Sequence, residues 1–73
     1  MATPKFVICI ENSEYPASLE IRKIYAVVAD SEAERNGHLR IVDESGEDYL
    51  YPARLFIDAH LSKSAEAAVA NTA

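Results

Sequence analysis

The side chains of this sequence that could do chemistry are few and scattered. Cys9 could act as a nucleophile, His38 and His60 as bases or metal ligands, and Asp43, Glu44, Glu47 and Asp48 as a group of hard oxygen donors. Their spacing supports none of these roles. Cys9 lies inside the apolar run Phe6-Val7-Ile8-Cys9-Ile10, where a thiol stays protonated and inert, so it reads as a small core residue. No His, Cys and carboxylate spacing joins the two histidines. The four carboxylates lack the alternating ligands and closing Glu of a calcium loop, which makes them a solvated hairpin tip. A single cysteine excludes an internal disulfide framework and a multi-cysteine zinc site. With no Gly-rich phosphate loop and no nucleophile, base and oxyanion donor that assemble, the expectation is a protein that is not an enzyme and uses no cofactor or metal.

The elements that would position any site read mainly as strands. Leu39, Ile41 and Val42 precede the polar cluster Asp43 to Asp48, and Tyr49-Leu50-Tyr51 follows it, so two β-favouring runs flank a short hairpin loop. Gly46 is the residue able to take the positive φ such a loop requires. Pro52 cannot donate to a ladder, so the strand must stop there or sit at an edge. Ala53-Arg54-Leu55 is long enough for one tight turn before Phe56-Ile57 resumes as a last strand. Earlier, residues 6–10 predict a first strand and residues 12–18 a long polar loop. The alternation of Leu19 and Ile21 with Glu20 and Arg22, running on into Ile24–Val28, predicts a second long strand kinked at Arg22-Lys23. Ser31 stands three residues before Glu34, a capping-box spacing, and Gly37 stands where a helix would end, so one or two helical turns are expected between.

Composition sets the outer bounds. A chain of 73 residues is one domain, here residues 1–60, and at this size only about 60% of the unfolded surface is buried, too little for a large enclosed active site. From Leu61 onward the sequence is Ala-rich with almost nothing large to bury, so residues 61–73 are expected to be a flexible tail with transient helix. The net charge of −5, from seven basic and twelve acidic residues, disfavours nucleic acid and an anionic membrane as partners. No apolar run approaches the roughly 20 residues that cross a bilayer. Residues 1–5 do not have the pattern of a signal peptide, which points to the cytoplasm.

Five short strands, a long loop after the first, a short hairpin between the third and fourth and a single turn before the fifth resemble an SH3-like barrel. KFVICIEN resembles that family's first strand, LEIRKIYAVV the strand that leaves its long loop, and SGEDYLYPARLFI its distal hairpin, Pro-led turn and final strand. The resemblance covers residues 5–59. The chain is also similar to a group of short bacterial proteins that share the YPASLE, KIY and DESGEDYLYP strings, and this second likeness carries no activity with it.

The SH3 resemblance implies a protein-binding module and a place to look for the contact. Where the family lines its groove with aromatic residues, this chain has Ile10 and Asn12 late in the first strand, His38 opening the third, and Leu55 three residues after the conserved Pro52. Ile10, His38, Leu50, Pro52 and Leu55 would therefore converge beside Tyr15 and Pro16 of the long loop, giving an aliphatic surface suited to an apolar side chain or a partner subunit more than to a polyproline helix. In the same alignment Tyr51 is a largely buried position. The alternatives are a structural protein that forms a homodimer through this patch, and a small enzyme or ligand-binding domain that uses Cys9 or the acidic hairpin.

Overall fold

Short runs of β-branched and aromatic residues become five strands. A computed structural model of the chain describes residues 4–71. β1 (Phe6–Cys9), β2 (Ile24–Val28), β3 (His38–Val42), β4 (Asp48–Pro52) and β5 (Phe56–Asp58) form one antiparallel sheet in the order β4-β3-β2-β1-β5. β2 changes neighbours halfway along: Ile24, Tyr25 and Ala26 pair with β1, while Val27 and Val28 pair with β3. Because side chains alternate along a strand, the register places Val7, Cys9, Tyr25, Ile41, Tyr51 and Phe56 on one face. There they bury together with Leu19 and Leu55, and Tyr15, Val27 and Leu39 pack against them.

The expected long second strand is shorter than its pattern suggests. Arg22 takes φ +70, and Arg22 N–H donates to the Cys9 carbonyl while Cys9 N–H donates to the Lys23 carbonyl. Two residues thus face one across the ladder, the arrangement of a β-bulge with its left-handed residue at Arg22. Regular pairing begins only at Ile24. Leu19, assigned to that strand from its alternation, instead sits in a loop that bonds to itself: Tyr15 N–H donates to Asn12 O, both Ser18 and Leu19 N–H donate to Tyr15 O, and the Asn12 side-chain amide donates to Leu19 O. That winding turns Leu19 fully into the core. Its apolar spacing reported burial correctly and strand wrongly.

Between β2 and β3, α1 (Ser31–Arg35) is a single turn and a half, capped one residue earlier than the Ser31 and Glu34 spacing predicts. Asp30 Oδ1 accepts from Ala33 N–H and Glu34 Oε2 accepts from Asp30 N–H. Arg40 on β3 holds the other Asp30 oxygen at 3.0 Å, which favours Asp30 over Ser31 as the cap. Gly37 ends the turn with φ +79, as expected. After Pro52, Ala53–Leu55 forms one 3-10 turn.

The segment expected to be a flexible tail contains a helix, α2 (Lys63–Ala70). Ser62 caps it by accepting from Ala65 N–H, and no residue of the helix is fully buried. Alanine favours helix, yet eight residues alone would not hold in water. Val69 and Ala70 border a hollow with Phe6, Ile24, Ala26 and Val42 on the outer side of the sheet, and Glu66 stands 4.0 Å from Lys5.

Gly46 has φ +85 and open space where a Cβ would lie, so a side chain there costs only backbone strain. Gly46→Val is expected to lower stability in urea unfolding by about 1–2 kcal/mol. Arg22 is in the same backbone region without being glycine, so Arg22→Gly should be neutral or raise stability by up to about 1 kcal/mol. Equal losses at both positions would show that side-chain contacts, not φ, set the cost.

Candidate functional site

The tip of the β3–β4 hairpin is organised by two adjacent carboxylates. Asp43 is only 7% exposed, and its Oδ1 accepts from the Ser45 N–H at 2.8 Å and the Ser45 hydroxyl at 2.6 Å. Its Oδ2 accepts from the Tyr51 hydroxyl at 2.6 Å. An Asp that bonds the backbone two residues on is a common turn-forming device. Gly46 N–H closes the turn on the Asp43 carbonyl. Glu44 reaches the other way. It accepts from the Tyr25 hydroxyl and pairs with Lys23 at 2.6 Å, while its backbone N–H donates to Ser18 O. The tip expected to be solvated is therefore half built into the fold: Asp43 and Glu44 are engaged, Asp48 pairs with Arg40 at 3.1 Å, and Glu47 has no ion pair among the described residues.

These bonds position an aromatic surface. Tyr51 is buried as expected, its hydroxyl fixed by Asp43. Tyr15 meets it edge-on with ring centroids 4.9 Å apart, a favourable aromatic geometry. Tyr15, Ser18, Asp43, Ser45, Tyr49, Leu50 and Tyr51 then enclose an open groove of about 440 Å³. Tyr49 and Leu50 are half exposed on its rim, at 50% and 46%.

Of the residues predicted to form one patch, several are neighbours, and one is core. His38 and Pro52 are direct cross-strand partners, and Leu50 shares their side of β4 two residues on. Tyr15 lies in the groove, and Pro16 is exposed beside it in the same loop. Ile10 is exposed at the end of β1, its N–H donating to the Leu55 carbonyl. Leu55, counted as surface in the predicted patch, is 1% exposed and belongs to the core, because the 3-10 turn rotates it inward. The gap between that turn and the long loop is bridged instead by Arg54, which pairs with Glu11 at 2.6 Å and Glu14 at 3.2 Å. Tyr49, Ser18, Ser45 and Arg54 were not singled out from sequence. The Asp43 and Ser45 spacing could have signalled the turn, but nothing local marks Arg54.

Cys9 is fully buried, and burial pushes its thiol up. Among the described residues no three His, Cys, Asp or Glu side chains are grouped to hold a metal ion, and no helix is long and apolar enough to cross a membrane. The fold and site together define a small all-β protein with an aromatic groove at one sheet edge. No protein-family model, curated protein or solved structure matches the chain.

Burial raises the Asp43 carboxyl, but the bonds from Ser45 and Tyr51 outweigh it and leave its pKa below the ordinary value. Lys23 and then Tyr25 lower Glu44, and the Ala33 N–H and then Arg40 lower Asp30. Carboxyls depressed in the fold give stability that is present above their unfolded pKa of about 4 and lost as pH falls below it. Burial, then the carboxylate partner, raises Tyr25 and Tyr51, so their contribution is present below about pH 10 and lost as pH rises further. Thermal melting should show a plateau between these limits, and Asp43→Asn should flatten the acid limb. Leu55→Ala is expected to cost about 2–5 kcal/mol through a core cavity, whereas Leu50→Glu should change stability by less than about 1 kcal/mol. Chemical unfolding of the two variants separates core from surface.

Proposed function

We propose that this chain is a non-enzymatic protein-binding module built as an SH3-like barrel, and that its partner contacts the strip formed by Tyr15, Tyr49 and Leu50. The strand order β4-β3-β2-β1-β5, the sharing of β2 and the 3-10 turn after Pro52 support the barrel reading. The observation that carries the binding role is the exposure of Tyr49 and Leu50, one on each face of the edge strand β4, beside a groove whose wall is already fixed. Single exposed apolar residues are normal on a protein surface, but two on an edge strand beside a hollow fit a contact site. The Tyr15 to Tyr51 packing and the Glu44 to Ser18 bond hold the loop in place before any partner arrives, which lowers the entropy lost on binding.

The site keeps Tyr15 and Leu50 of the patch implied by the SH3 resemblance and leaves out Ile10, His38, Pro52 and Leu55. Beside Ile10 and Leu55, Arg54 pairs with Glu11 and Glu14, exposed ion pairs that hold the loop by no more than about 1 kcal/mol each. A peptide-display selection against the parent domain, read against Tyr49→Ser and Leu50→Glu, tests the reading. Ligands that bind the parent and lose about tenfold or more on either variant are expected, about 1.4 kcal/mol of contact. Selected ligands indifferent to both substitutions, or a selection that enriches nothing, would place the function elsewhere. Light scattering on the same variants reads self-association through this strip.

A further inference from the structure

β4 stands at the end of the sheet, paired with β3 alone. The ladder phase can be read from its two ends. Asp43 N–H donates to the Glu47 carbonyl before the strand, and Ala53 N–H donates to the Gly37 carbonyl after it. In an antiparallel pair hydrogen-bonded and non-bonded positions alternate, and the register pairs Ile41 with Tyr49, Arg40 with Leu50 and Leu39 with Tyr51. Tyr49 and Tyr51 therefore turn their amides toward β3, and Asp48, Leu50 and Pro52 turn theirs away. Pro52 has only a carbonyl to offer. Among the described residues no group bonds to the outward amides of Asp48 and Leu50, although the loop carrying Tyr15 and Ser18 runs beside them.

An open edge of this kind is a template for another strand, with alternate side chains of the incoming segment dropping into pockets beside the edge. The groove lined by Tyr15, Ser18, Tyr49 and Leu50 lies at that position. Charge selects the occupant. The hairpin tip carries Asp43, Glu44, Glu47 and Asp48 against the cations Lys23 and Arg40, and the chain as a whole is −5, so a second copy would bring like charge to the edge.

We propose that β4 accepts an extended segment of a partner protein as a sixth strand, main chain bonded to Asp48 and Leu50, with an aliphatic residue in the Tyr15–Tyr49 groove and a Lys or Arg facing Glu47. This rests on the binding role proposed above and adds its mode and the partner's chemistry. The probe is a blocked octapeptide of alternating valine and threonine with one terminal lysine, followed by amide NMR on the full chain. Saturation is expected to slow exchange of the Leu50 amide. Peptide with alternate amides N-methylated, and protein carrying Leu50→Pro, should each bind about tenfold or more weaker, since each removes main-chain bonds at this edge. Replacing the peptide's lysine with glutamate should weaken binding in the same direction. Leu50→Pro leaves the β3 ladder intact because the Leu50 amide faces away from it, and the N-methylated peptide tests the same bonds on unaltered protein. Binding that survives N-methylation and Leu50→Pro but falls with Tyr49→Ser would overturn strand addition and leave the binding strip standing. Binding indifferent to all three would overturn both, and no binding of the lysine peptide at millimolar concentration would overturn the strand-addition mode.

Discussion

A carboxylate buried without a cation beside it organises this molecule. Desolvating Asp43 is costly unless donors replace the lost water, and three donors do so: the Ser45 amide, the Ser45 hydroxyl and the Tyr51 hydroxyl. The same three bonds shape the hairpin turn, set the height of Tyr51 in the core and so fix the ring against which Tyr15 packs. Glu44, one residue on, ties the long loop to the hairpin through Lys23, Tyr25 and Ser18. Turn, core and loop are consequently coupled through two neighbouring residues, and the groove at the sheet edge depends on both.

The edge of the sheet at β4 is restrained against aggregation. Free strand edges invite unwanted pairing, and proteins restrain them with charge, proline and short length. β4 carries each of these restraints: Asp48 at its start, Pro52 at its end and five residues in all. What remains open is the outward amides of Asp48 and Leu50, to which no group among the described residues bonds. On the outer side of the sheet, the end of α2 borders a hollow over β1 and β2. The region around Tyr49 and Leu50 is exposed beside a hollow at the β4 edge.

The SH3 resemblance implies an aromatic-lined peptide groove, and the positions it points to are not aromatic here. An aromatic-lined groove needs rings at the end of the first strand and at the start of the third, and this chain places Ile10 and His38 there. Leu55 turns inward to fill the core, and Arg54 projects outward to pair with Glu11 and Glu14. Aromatic surface is instead gathered at the opposite side of β4, where Tyr15, Tyr49 and Tyr51 meet.

Local sequence determined the features that depend on local physics. The β-favouring runs on either side of Asp43 to Asp48 determined the hairpin, the freedom of glycine determined Gly46 and Gly37 at positive φ, and the missing amide of Pro52 determined where β4 stops. Cys9 in an apolar run determined its own burial. Features requiring partners distant in the chain were decided only in three dimensions. Alternation could not distinguish Leu19 in a self-bonded loop from Leu19 in a strand, because both bury the same side chain. Nor could propensity alone decide α2, since eight residues are too few to hold a helix in water by themselves. Leu50 and Leu55 are the same residue type five positions apart. Leu50 faces out in alternation with the buried Tyr51 on β4, and Leu55 ends buried in the 3-10 turn between β4 and β5.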